Sequence, residues 1–328
     1  MDIFSPITIR DLELRNRMWL PAMCQFQVDT LDGMPNSWHL MHYGARAVGG
    51  FGLVIAEATA VVPEGRISVR DTGLWSHEHI MQWHPITSFV HLHGGAIAVQ
   101  LAHAGRKAET ETPVSPESMT HAELLALPDQ FAEAARAAVA AGFDAVEIHA
   151  AHGYLLHQFL SPLSNQRIDG YGGSFAGRTR MLLDVLSAVR DAIPEGMPLL
   201  VRISATDWIP DRPSWDLQQS IELAQLLQKG GADVLDVSSG GLVEADIPVA
   251  PNYQTDLAAE IRRETGMLTA GVGLITTAEQ AQGYLDRDEL DVVLIGRAAL
   301  NDPHWPLHAA QKLGGSVPIP RSYKTSFT

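Results

Sequence analysis

The sequence has a single cysteine, Cys24, in 328 residues. One thiol excludes an intrachain disulfide, a cysteine-ligated iron–sulfur cluster and a cysteine-rich structural zinc site, and it suits a reducing compartment. Long apolar runs are missing too. Nothing approaches the ~20 residues that span a bilayer, and the start, Met1-Asp-Ile-Phe-Ser-Pro, has neither the basic nor the apolar segment of a secretory signal. These absences predict a soluble, cytoplasmic protein. Basic residues are outnumbered, 23 Lys and Arg against 38 Asp and Glu, for a formal charge of −15. That balance argues against nucleic acid or an anionic membrane as a partner. Low-complexity sequence is absent up to the proline-containing tail after Gly314. One domain over 1–328, with a C-terminal tail from about 315, is therefore expected. Hydrophobic residues at 46% and charged residues at 19% allow it a large core.

What is present is an alternation. Apolar runs occur at Arg17–Pro21, Leu53–Glu57, Ile97–His103, Ala145–Ala150, Leu199–Ser204, Val234–Ser238, Leu268–Gly273 and Val292–Gly296. They are apolar nearly throughout, as parallel strands covered on both faces should be. Amphipathic segments separate them: Trp38–Val48, His77–His93, Thr120–Ala141, Phe175–Ala192, Ser214–Lys229, Thr255–Glu264, Thr276–Leu285 and His304–Leu313. Thr120 with Glu123 forms a capping-box pattern, Gly142 marks the end of that segment, and Pro128 is expected to divide it into two helices. Eight strand–helix pairs predict an α/β fold, a single (β/α)8 TIM barrel. A doubly wound sheet would carry a glycine-rich turn after its first strand, and Pro21-Ala-Met-Cys24 is not one.

Barrel enzymes keep their chemistry at the C-terminal strand ends. The fourth strand runs out into His149, His152 and Tyr154, residues suited to holding an anionic oxygen and delivering a proton. Gln100 and Arg202 lie inside apolar strands and need polar partners; a planar heteroaromatic would supply them, and so would a carboxylate such as Glu57. Gly271-Val-Gly273 and Gly296-Arg297 end the last two strands, where barrels often bind phosphate and where a tight turn is the simpler alternative. His42, His77, His79, His84, His91 and His93 show no metal-ligand grouping and read as surface or packing residues.

The set Asn16-Arg17, Pro21-Ala-Met-Cys24, Glu57-Ala58, Gln100-Leu-Ala-His-Ala-Gly-Arg-Lys107, His149-Ala-Ala-His-Gly-Tyr154, Ser161-Pro-Leu-Ser-Asn-Gln-Arg167, Tyr171-Gly-Gly-Ser174, Arg202 and Gly296-Arg297 resembles the old yellow enzyme family. Within it, Cys24 and the His-x-x-His pair resemble the bacterial thermophilic-like ene-reductase branch. The resemblance runs from about Phe4 to about His308. It implies non-covalent FMN, NADPH or NADH as reductant, an electron-poor alkene as substrate, a ping-pong cycle and a homo-oligomer, dimer or tetramer. It also implies site roles. Pro21, Met23, Cys24, Ala58, Gln100 and Arg202 would contact the flavin, and Gly273, Gly296 and Arg297 its phosphate. His149 and His152 would bind the substrate oxygen, Tyr154 would protonate, and no metal is called for. A dienoyl-CoA-reductase relative and a flavin-free barrel lyase are the alternatives; the first would need cluster-binding cysteines and the second a Schiff-base lysine at a strand end.

The sequence departs from that pattern in three places. Phe26 stands where the branch often has a tyrosine, which shifts the substrate pocket toward apolar contacts. Lys107–Met119 is shorter than the usual excursion over the mouth. Thr325 stands where a branch member would offer a neighbouring subunit an arginine, with Arg321 and Lys324 nearby. Trp305 is expected either to wall the substrate pocket or to pack in the core.

Overall fold

Valine, isoleucine, leucine and alanine fill the strands because both faces of each are buried, the inner against the barrel axis and the outer against helices. The computed structural model describes residues 1–327. A short antiparallel hairpin, β1 (Ile7–Ile9) and β2 (Leu12–Leu14), comes first. The barrel strands are β3 (Met18–Leu20), β4 (Leu53–Ala60), β5 (Ala96–Ala102), β6 (Ala145–Ala150), β7 (Leu199–Ser204), β8 (Val234–Ser238), β9 (Leu268–Val272) and β10 (Val292–Leu294). All are parallel, and β10 closes on β3. The helices are α1 (Ser37–Val48), α2 (His77–Leu92), α3 (His121–Ala141), α4 (Leu155–Leu160) and α5 (Phe175–Ala192). They continue with α6 (Leu217–Lys229), α7 (Thr255–Thr265), α8 (Ala278–Asp286), α9 (Arg297–Asn301) and α10 (Trp305–Leu313). The expected (β/α)8 barrel is the observed one. No helix among the described residues is long and apolar enough to cross a membrane.

Three local features differ from the sequence reading. The hairpin, α4 and α9 went unread because segments of three to six residues carry no usable periodicity. Pro128 does not divide α3, which runs unbroken from His121 to Ala141. Its missing N–H costs about 3 kcal/mol. The buried stripe Leu124, Leu127, Phe131, Ala135 and Ala138 continues through it, and each large side chain there contributes about 1.5–3 kcal/mol. Finally, β4 runs three residues past Glu57, with a bulge between Ala56 and Ala58. The bulge turns Glu57 outward to α1, where it meets His39 Nε2 at 3.1 Å and the Tyr43 hydroxyl at 3.2 Å. Glu57 is therefore not the partner of Arg202.

Inward positions recur every second residue along each strand, and their chemistry changes with height. Ala98, Ala145, Leu200 and Val234 belong to the apolar floor. One step up stand Gln100, Glu147, Arg202 and Asp236, all buried. One step further, on β6, β7 and β8, come His149, Ser204 and Ser238, at the mouth. The sheet thus lifts a polar layer to the C-terminal end.

Candidate active site

The polar layer is tightly paired. Gln100 Nε2 donates to Glu147 Oε1 at 2.7 Å. Arg202 Nε lies 3.2 Å from Asp236 Oδ2, its register partner on β8, and its Nη1 donates across the mouth to the Ala22 carbonyl at 3.2 Å. The Nε–H does not point at the carboxylate, so the pair is held by charge more than by a directed hydrogen bond. Glu147 Oε2 and both Asp236 carboxylate oxygens lack a hydrogen-bond donor, and the Arg202 charge acts on both carboxyls. Burial raises both carboxyls, and the Asp236 charge raises Glu147 further.

Above this layer β6 ends, and the chain turns through two left-handed residues, His152 (φ 57°) and Gly153 (φ 75°). A Cβ on Gly153 would meet the Gly241 carbonyl at 2.4 Å, so only glycine fits. The turn packs His149 against its neighbours: its ring centroid is 5.3 Å from that of His152 and 5.0 Å from that of Tyr154, both edge-on. Tyr154 precedes α4 and spends no side-chain hydrogen bond on capping it. The three residues singled out in the sequence are thus one cluster.

Electrostatics suits that cluster to proton chemistry. Burial, with Arg202 second, holds His149 and His152 well below the ordinary histidine value, so both are neutral near pH 7. His149 Nδ1 is buried without a protein partner, and His152 Nε2 lies 2.8 Å from Ser238 Oγ. Burial, more than any neighbouring charge, raises Tyr154, which keeps its proton. The Lys107 ammonium stands 5.5 Å from the centre of the Tyr154 ring. Desolvation, then the Asp71 and Glu57 charges, pushes the Cys24 thiol up strongly.

Beside the cluster a cavity of about 520 Å³ opens between β3 and β7–β10, lined by His152, Pro21, Met23, Arg202, Gly273, Gly296 and Arg297. Six of the nine residues expected to bind the cofactor line it. Ala58 and Gln100 face each other in register on β4 and β5, and Cys24, in the loop after β3, lies against the Ala58 backbone. Ser238, Ser239, Tyr253 and Gln254 line the cavity and were missed; Gln254 receives the Ser239 hydroxyl at 2.9 Å. Asp236 was missed as well, although an aspartate inside Val234-Leu-Asp-Val-Ser238 signals a buried cation nearby. At one end of the cavity is a guanidinium. At the other are Gly273 (φ 132°), Gly296, whose Cβ would have no neighbour closer than 3.7 Å, and the exposed Arg297. Pro21 and Met23 add apolar edges. This donor set fits a planar heteroaromatic ring carrying a phosphate, as in FMN.

The remaining site residues sit apart. Phe26 is 44% exposed and left-handed (φ 55°) in the loop after β3. Trp305 is buried, its Nε1 donating to the Thr276 carbonyl at 3.3 Å, and does not line the cavity. The short segment after Lys107 leads to residues 117–119, which pack on Gln166 and Arg167. In the tail, Tyr323 and Phe327 lie against His304 and His308 of the same chain.

Comparison with known proteins agrees with this geometry. Residues 2–315 match the family described as NADH:flavin oxidoreductase / NADH oxidase. An NADPH dehydrogenase of Geobacillus thermodenitrificans is 45% identical over 335 residues, covering 98% of this chain and 97% of the relative. An old yellow enzyme homologue from Zymomonas mobilis superposes with a TM-score of 0.84 at 28% identity, covering 98% of this chain and 96% of the other. A 2-naphthoyl-CoA reductase shares the fold with a TM-score of 0.89 at 22% identity, over 96% of this chain and 52% of that longer one. Family match, identity and site chemistry lead to one conclusion: this chain belongs to the NADH:flavin oxidoreductase / NADH oxidase family, an oxidoreductase that uses FMN with a reduced nicotinamide as electron donor.

Proposed function

We propose that the chain is an ene-reductase: with FMN bound, it takes electrons from NAD(P)H and reduces the C=C bond of activated alkenes such as α,β-unsaturated carbonyls, in a ping-pong cycle. The observation that carries this reading is the single cluster of His149, His152 and Tyr154 beside the cavity. Bound FMN supplies the hydride chemistry. Pro21, Met23 and Arg202 would hold its ring, with Cys24, Ala58 and Gln100 on the other side, and Gly273, Gly296 and Arg297 its phosphate.

The protein's part is to hold an oxygen and move a proton. As the alkene accepts hydride at the carbon β to its carbonyl, negative charge grows on the carbonyl oxygen. His149 and His152 are neutral, so each keeps one N–H for that oxygen, as in an oxyanion hole. Tyr154, still protonated, delivers its proton to the α carbon. The Lys107 ammonium near its ring then offsets the charge left on the phenolate. Phe26, exposed in the loop after β3 and without a hydroxyl, would offer an incoming substrate only an apolar contact.

Stopped-flow absorbance on the FMN-loaded protein separates the two half-reactions. NADPH should bleach the flavin, and 2-cyclohexenone or N-methylmaleimide should restore its colour in the absence of oxygen. Protein that cannot be loaded with FMN, or reduced protein that no enone, maleimide or nitroalkene reoxidises, would refute the reading.

A further inference from the structure

The turn that carries His152 belongs to neither β6 nor α4, and a single backbone bond, from the Tyr154 N–H to the Ala151 carbonyl at 3.1 Å, closes it. Side chains take all four backbone polar groups of His152 and Gly153 within it. His152 N–H donates to Ser204 Oγ at 3.0 Å, and its carbonyl accepts from Lys107 Nζ at 2.7 Å. Gly153 N–H donates to His157 Nδ1 at 2.9 Å, and its carbonyl accepts from Gln158 Nε2 at 2.8 Å. Two left-handed residues in succession are unfavourable for a histidine, and they persist only where the surroundings dictate them.

Of these four partners His157 is the most committed. It is fully buried on α4, one turn beyond the residue it holds. Because Gly153 N–H is a donor, Nδ1 must present its lone pair, which leaves the ring proton on Nε2. Nε2 lies 3.1 Å from Asp207 Oδ1, off the N–H axis, and both side chains are fully buried. Asp207 is anchored in turn: its Oδ2 accepts the Ser161 hydroxyl at 2.6 Å and the Trp215 N–H at 2.9 Å. Burial alone would raise this carboxyl, but its contacts with His157 and Ser161 hold it below the ordinary value. A carboxylate facing Nε2 favours the tautomer that Gly153 needs.

We propose that His157, kept in its Nε2–H tautomer by Asp207, is a positioning residue of the reaction: it fixes the His152–Gly153 turn and with it the spacing of His149, His152 and Tyr154. The inference rests on the proposed roles of those three residues, and His157 itself lines no part of the cavity.

The test compares FMN-loaded wild type, His157→Phe and His157→Gln. Glutamine can accept the Gly153 N–H through its carboxamide oxygen and turn its amide hydrogens to Asp207; phenylalanine can do neither. One readout is titration with p-hydroxybenzaldehyde, followed by the long-wavelength band of a phenolate against oxidised flavin. The others are the separate rates of flavin reduction by NADPH and of reoxidation by 2-cyclohexenone. His157→Phe should bind the phenol at least about tenfold more weakly and reoxidise at least about tenfold more slowly, with NADPH reduction within about threefold of wild type. His157→Gln should recover most of both losses. If phenylalanine does not yield folded protein, His157→Leu takes its place; it too lacks an acceptor for the Gly153 N–H and should show the same split. Phenol binding and reoxidation unchanged in the defective variant, or glutamine as impaired as phenylalanine, would overturn the proposal. A wild type that itself shows no phenol band contradicts the histidine pair's role instead, so the two failures are distinguishable.

Discussion

Arg202 and Asp236 stand side by side on β7 and β8, Nε 3.2 Å from Oδ2, in the polar layer below the mouth and almost wholly out of water. The same guanidinium reaches Ala22 across the mouth, so one cation serves the barrel interior and the rim together. Removing it leaves two buried carboxyl groups with no counter-charge. Arg202→Met should destabilise the protein by roughly 3–5 kcal/mol and weaken FMN retention. Urea denaturation with and without FMN measures both effects. Adding Asp236→Leu to that variant should restore part of the stability, and a double variant no better than the single would contradict the pairing.

The Glu147–Asp236 pair makes stability depend on pH in a defined direction. Both carboxyls are raised in the folded state, chiefly by burial. The folded chain therefore keeps a proton that the unfolded chain releases above the ordinary glutamate value of 4.5. This contribution is complete below that value and is lost as pH rises through the raised one. Glu147→Gln still accepts from Gln100 and has no proton to lose. The difference in unfolding free energy between wild type and Glu147→Gln should therefore move against wild type from about pH 5 to about pH 8, by up to ~1.4 kcal/mol per unit. Parallel pH curves would mean that folded Glu147 keeps no such proton.

Tyr154 and the two histidines should separate the half-reactions. Tyr154→Phe is expected to leave flavin reduction by NADPH nearly intact and to slow alkene reduction by about 10²–10⁴. Replacing His149 and His152 together with alanine should abolish phenol binding to the oxidised flavin. Stopped-flow spectroscopy reads both, and an equal loss in the two half-reactions for Tyr154→Phe would contradict the proton-donor role.

Cys24 should be sluggish as a nucleophile. Burial, then Asp71 and Glu57, keeps its thiol protonated at neutral pH. Iodoacetamide should label it about a hundredfold more slowly than glutathione, and at the ordinary rate once urea unfolds the chain. Mass spectrometry of a labelling time course decides the matter; fast labelling of the native protein would mean an accessible thiolate.

The barrel was legible in the sequence because its cause is local. Continuous apolar runs at strand length, separated by amphipathic segments, admit few other arrangements, and the strand ends at Ala150, Ser204 and Ser238 agree with those runs. His149, His152 and Tyr154 were legible for a related reason: polar residues crowded at one strand end have few structural uses. Pairing was not. Which carboxylate meets Arg202 depends on the register of β7 with β8 and on a bulge that turns Glu57 to the outer face, and neither leaves a mark on the periodicity. Pro128 shows the same limit from the other side, since the burial that carries α3 past it comes from the rest of the fold. The sequence by itself determined the architecture and the chemical groups at the mouth, because both follow from neighbours along the chain. Only the tertiary structure decided which carboxylate meets Arg202 and what completes the hold on the His152–Gly153 turn, because Asp236, Ser204, Lys107 and Asp207 lie tens of residues from the groups they meet and reach them only when the barrel closes.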